Sequence, residues 1–65
     1  MNEEQLQGKW EQVKGKIQQK WGKLTDNDLQ FIHGKKKELV GRIIERQGIV
    51  KEQAEKDVDD FLDKL

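Results

Sequence analysis

The sequence predicts a small all-α domain of four helices arranged as two packed helical hairpins, and three observations lead there. Apolar residues recur at spacings of three and four, the period of a helix buried along one face. No stretch alternates apolar and polar residues over the length of a strand. Six glycines fall in two sets, at 8, 15 and 22 and again at 34, 41 and 48, so the second set is the first displaced by 26 residues.

The first helix is expected over about 3–21. Leu6, Trp10, Val13, Ile17 and Trp21 are separated by four, three, four and four residues and make one apolar stripe. Gly22 follows as a candidate C-terminal cap. Thr25-Asp26-Asn27-Asp28 then reads as a helix start, because the Thr25 hydroxyl can cap the first turn and Asp28, at the third helical position, suits the positive end of the helix dipole. The second helix, about 26–33, carries Leu29, Phe31 and Ile32. Leu39, Val40, Ile43 and Ile44 mark the third, about 35–47, with Gly48 as its C-cap candidate. Ala54, Val58, Phe61, Leu62 and Leu65 mark the fourth, about 51–63.

The glycine spacing extends to other residues. Displaced by 26, Lys9 meets Lys35, Val13 meets Leu39, Lys16 meets Arg42, Ile17 meets Ile43 and Lys20 meets Arg46. The chain therefore reads as an internal duplication inside one domain spanning 1–65, with units of about 3–33 and 34–63. Each unit is a longer helix, a glycine-ended turn and a second helix, and packing the two hairpins lets each cover the other's stripe. The alternative turns on Gly34: if it only kinks a continuous helix, the architecture is a three-helix bundle.

Composition bounds the function. Charged residues are 40% of the chain, against roughly 25% in ordinary domains, yet thirteen Lys/Arg balance thirteen Asp/Glu. Residues 1–37 carry eight basic and five acidic groups and residues 38–65 carry five and eight, so the zero net charge conceals a basic first half and an acidic second. Apolar residues are only 32%, which makes the core thin, and a chain of this length buries only about 60% of its unfolded surface. Ile, Leu, Val and Phe supply about a quarter of the residues, above the roughly 20% at which chains stay disordered, so a folded domain of low stability is expected. The lack of cysteine excludes a disulfide-stapled fold and a cysteine-ligated zinc module. An acidic N-terminus with no apolar segment after it, and no apolar run longer than two residues, gives the expectation of a cytoplasmic protein without a membrane span.

No catalytic, cofactor or metal constellation emerges, and an enzyme acting on a small-molecule substrate is not expected. His33, the single histidine, has no cysteine or second histidine to complete a metal site and reads as a helix-end residue. Asp57, Asp59, Asp60 and Asp63 crowd the last helix, but so short a chain hardly encloses the dry pocket that catalytic carboxylates need, and they read as a solvated face. The Gly-Lys dipeptides at Gly8, Gly15, Gly22 and Gly34 lack the upstream glycine, strand and Ser/Thr of a phosphate loop. There is no serine, and the one threonine sits at a capping position.

The candidate binding residues are Lys9, Lys16, Lys20 and Lys23. On one continuous helix they fall within about 60° of each other, with Trp10 and Trp21 on the adjoining side. Such a stripe suits a nucleic acid or an anionic surface. The simpler reading makes both tryptophans core and the lysine stems their flanks. Leftover apolar surface leaves the chain a monomer or a weak self-associator. Gly8 and Gly15 project opposite the stripe, where alanine would stabilise the helix by up to about 1 kcal/mol. Their repeated spacing points either to close approach of a backbone or partner, or to folding that is conditional on dehydration or a surface.

The run G-K-W-E-Q-V-K-G-K-I-Q-Q-K-W-G-K-L-T-D-N-D from Gly8, G-K-K-K-E-L-V-G-R-I-I-E-R-Q-G from Gly34 and K-E-Q-A-E from Lys51 resembles the CsbD-like family of small bacterial general stress-response proteins over nearly the whole chain. The resemblance implies a bacterial cytoplasmic protein of no established enzymatic activity, with two orthogonal hairpins of the sterile-alpha-motif-like type and a likeness to the glycine-rich hydrophilins of water deficit. It supplies no catalytic residues. Where members often carry an aromatic beside the last repeat glycine, this chain has Gln47 and Ile49. The expected function is a stoichiometric, non-enzymatic protectant; the alternative is a nucleic-acid or anionic-surface binding module using the lysine stripe.

Overall fold

The computed structural model describes residues 3–65 and places them in five helices with no strand among them: α1 Glu3–Gly8, α2 Trp10–Lys20, α3 Asp26–Ile32, α4 Lys36–Gln47 and α5 Lys51–Asp63. The class is all-α, as the periodicity predicts, but the helix expected over 3–21 is two helices. At Lys9 the backbone turns to φ −109°, ψ 16° and the helix breaks. Gly8 immediately precedes the break, and a residue of such low helix propensity makes a bend there inexpensive. The change of direction sets Leu6 of α1 fully inside the core and brings Gln7 against the connection between α3 and α4.

That connection separates α3 from α4. His33 caps α3 in the left-handed region at φ 43° and Gly34 follows at φ 84°, two successive residues that a right-handed helix cannot contain. The continuous central helix of a three-helix bundle is thus not formed. Gly48 closes α4 as predicted, at φ 65°, its amide donating to the Ile44 carbonyl. Gly22 does not cap α2: Trp21 does, donating to the Ile17 carbonyl, and Gly22 lies one residue beyond in the turn.

The expected stripes converge on one core that runs from Leu6 of α1 to Leu62 of α5, and α4 packs against both α3 and α5. Trp10 and Trp21 are buried in it, and the Trp21 ring meets Phe61 edge-on with centroids 5.2 Å apart. Leu24, in the connection from α2 to α3, is also buried although it belongs to no stripe. Phe31 leaves the stripe it was expected to join. It is 60% exposed, with the Arg42 guanidinium 4.3 Å from its ring centroid.

Candidate functional site

The most elaborate polar arrangement is built at the start of α3. Thr25 Oγ1 accepts from the Asp28 amide at 3.1 Å, and Asp28 Oδ2 accepts from the Thr25 amide at 2.9 Å, a reciprocal capping box. The same carboxylate, 2% exposed, receives the guanidinium of Arg46 from the far end of α4. Arg46 Nε donates to Oδ2 and Nη2 to Oδ1, both at 2.9 Å, in the parallel fork that guanidinium and carboxylate planes favour. Arg42 Nη1 approaches Asp28 Oδ1 at 3.5 Å and Glu45 Oε2 at 3.8 Å. The Asp28 carboxyl is held down from 3.8 to about 2, by the Arg46 hydrogen bond first and the Thr25 amide next, with burial working the other way. Arg46 is raised in turn by that hydrogen bond. Sequence reasoning finds the cap and misses its partner. The available signal is the replacement of Lys16 and Lys20 by Arg42 and Arg46 at the displaced positions, since only arginine offers a planar fork.

The lysine stripe follows α2 and its two ends. Lys9 stands at the break between α1 and α2, Lys16 and Lys20 are one turn apart on α2, and Lys23 lies in the turn that follows. All four are exposed; Lys16 and Lys20 share α2, Lys9 is its N-cap residue and Lys23 lies beyond its end. The Lys20 ammonium sits 5.4 Å from the Trp21 ring centroid. Of the α5 carboxylates, Asp59 pairs with Lys36 across the α4–α5 contact and Asp57 accepts from the Gln53 amide at 2.8 Å. His33 is exposed at the end of α3, and no group of three or more His, Cys, Asp or Glu is placed to hold a metal ion among the described residues. Among them, too, no helix is long and apolar enough to cross a membrane.

The glycines divide into two kinds. A Cβ at Gly8, Gly15, Gly22 or Gly41 would meet nothing within 4 Å, so the close approach within the chain considered for Gly8 and Gly15 is not theirs. Gly34 makes it instead: a Cβ there would lie 2.7 Å from the Gln7 Cα.

The family model for CsbD-like proteins matches residues 4–56. The UPF0337 protein ECA0631 of Pectobacterium atrosepticum is 59% identical over 58 residues, covering 89% of this chain and 84% of that protein. The UPF0337 protein YjbJ of Escherichia coli O6:H1 is 52% identical over 61 residues, with 94% and 88% covered. The UPF0337 protein pc0632 of Protochlamydia amoebophila is 48% identical over 64 residues, with 98% and 97% covered. No solved structure matches the chain. Similar along nearly its whole length to proteins of this kind, and matched by the family's own model across the region that holds both glycine sets, the chain belongs to the CsbD-like family.

Proposed function

We propose that the protein is a non-enzymatic, stoichiometric protectant of the bacterial stress response, whose charged helical surface hydrates and shields other macromolecules when water is scarce. The observation that carries this reading is the placement of Gly15 and Gly41 in the middle of α2 and α4, where nothing in the fold calls for glycine. Each forfeits up to about 1 kcal/mol of helix stability relative to alanine, in a domain whose whole stability is of the order of 5 kcal/mol. Such a fold sits close to the point where solvent decides how much helix is populated, and loss of water, the competitor for backbone hydrogen bonds, favours the helix. Family membership and a chain that is 40% charged support the same reading.

Two measurements bear on it. Gly15→Ala and Gly41→Ala are each expected to stabilise the domain by up to about 1 kcal/mol, which for a chain of this size raises Tm by about 4–8 °C. Thermal melts followed by far-UV circular dichroism check this, and an unchanged or lowered Tm removes the argument from the glycines. A labile enzyme dried with an equimolar amount of the protein is expected to keep more activity than when dried with an equal mass of a control globular protein. Equal losses in the two samples would refute the protectant role.

A further inference from the structure

The two halves of the chain use the same positions differently. Arg42 and Arg46 lie 26 residues beyond Lys16 and Lys20, and both are drawn onto the buried Asp28 carboxylate. Displaced back by 26, Asp28 falls on Asn2, which carries no charge, so the first half has no counterpart of that carboxylate in its sequence. Lys9, Lys16, Lys20 and Lys23 are all exposed, and none of them enters an ion pair among the described residues. From Gln12 to Thr25 the chain has no carboxylate, the longest such interval in the sequence. At 100° per residue Lys9, Lys16, Gln19 and Lys20 fall within an arc of about 100° on α2, with Lys23 in the turn beyond. Glu11, the carboxylate of α2, lies about 140° around the helix from Lys16 and is paired with Lys14 at 2.9 Å. Glu11, Lys14, Gly15 and Gln18 line the groove toward α3, so the lysine side of α2 turns away from that helix.

We infer that this side of α2 binds the phosphate backbone of duplex DNA without reading its sequence. The inference does not depend on the protectant reading. Lysine is a point charge on a flexible stem, which meets a phosphate without selecting a base. The Lys20 ammonium rests 5.4 Å from the Trp21 ring centroid, which orders it without neutralising it. The eleven residues of α2 extend about 16 Å, a length over which a duplex carries roughly ten phosphates and one strand about half as many. The bases of a single strand need an exposed aromatic to stack on, and Trp10 and Trp21 are only 5% and 3% exposed. A membrane surface needs the apolar side of the helix, and Trp10, Val13 and Ile17 bury it in the core. What the helix offers outward is charge alone, and the denser row of phosphates suits it best. The zero net charge of the chain adds no long-range attraction, so the complex is weak and held by these contacts.

The test is the fluorescence anisotropy of two labelled DNA duplexes of unrelated sequence, titrated with the full chain. At about 50 mM salt both are expected to bind with the same Kd, between about 10⁻⁴ and 10⁻⁶ M. Four neutralised phosphates give log K against log salt a slope of about −3.6, so affinity falls on the order of 100-fold by about 200 mM. Lys16→Gln with Lys20→Gln, a pair that keeps helix propensity, should halve the slope to about −1.8 and weaken binding by about tenfold at the lower salt. Lys37→Gln with Lys51→Gln, which removes two exposed lysines that also enter no ion pair among the described residues, should leave the affinity within about twofold. In the parent, amide shifts on adding duplex should centre on Lys16, Gln19 and Lys20, a readout that needs no variant to fold. The inference is overturned by the absence of saturable binding at the lower salt, by shifts that centre on other helices, or by equal losses in the two double variants. It is also overturned if a single strand or phosphatidylglycerol vesicles bind as tightly as the duplex at equal phosphate.

Discussion

Replacing Gly34 by alanine is expected to destabilise the domain by about 3–5 kcal/mol, enough to unfold much of it at room temperature. Two effects add. At φ 84° an L side chain is strained whatever surrounds it, at a cost of about 1–3 kcal/mol. The new Cβ would also stand 2.7 Å from the Gln7 Cα, a backbone atom, so no rotamer change relieves it. Relief requires α1 to move, and α1 carries Leu6, which is wholly buried. Gly48→Ala separates the two effects, because Gly48 has φ 65° but open space around its Cβ position, and only the conformational cost of about 1 kcal/mol is expected. Thermal melts of the two variants compared with the parent decide the matter. Melting of Gly34→Ala within a few degrees of Gly48→Ala would show that the α1 contact does not constrain position 34.

Asp28→Asn is expected to cost about 2–3 kcal/mol. The amide retains part of the cap and loses the charge, leaving Arg46 without its counter-ion at the end of α4. The upper end of the range for broken buried pairs is not reached, because the Arg46 side chain is 39% exposed and water replaces part of what it loses. The pH dependence has a definite sign. The folded carboxyl sits at about 2 against an ordinary 3.8, so between those values the unfolded chain binds more protons than the folded one and stability rises with pH. The contribution is fully present above about pH 4 and is lost as pH falls through 2. Urea unfolding of the parent should therefore weaken more steeply across that window than unfolding of Asp28→Asn. Parallel curves for the two proteins would mean that Asp28 has an ordinary affinity for protons in the fold.

What the sequence could disclose was whatever repeats within a few residues. The stripes Leu6 to Trp21, Leu39 to Ile44 and Ala54 to Leu62 are local patterns, and they predicted both the helices and most of the core. The capping box was equally local. The break at Lys9 was not, since it answers to the demand that Leu6 enter the core and that Gln7 meet Gly34, a contact across 27 residues. Asp28 and Arg46 are 18 residues apart and on different helices, and either alone reads as a surface charge. Leu24 has no periodic companion to mark it. Phe31 follows the opposite course: beside Leu29 and Ile32 it looked like core, yet at 100° per residue it points well away from Ile32. The six glycines are equivalent in pattern, and only the backbone angles and neighbours distinguish Gly34, which the fold requires, from Gly15 and Gly41, which it does not.

The way α4 packs against its neighbours in sequence, α3 and α5, also bears on time. Helical domains whose contacts join nearby segments fold in microseconds to milliseconds, because little loop entropy is lost before contacts form. The chain contains no proline whose isomerisation would delay it and no cysteine to mispair. The return of water therefore meets a chain that has neither proline isomerisation nor disulfide reshuffling to wait for. The interval in which its core lies open to other molecules is correspondingly brief.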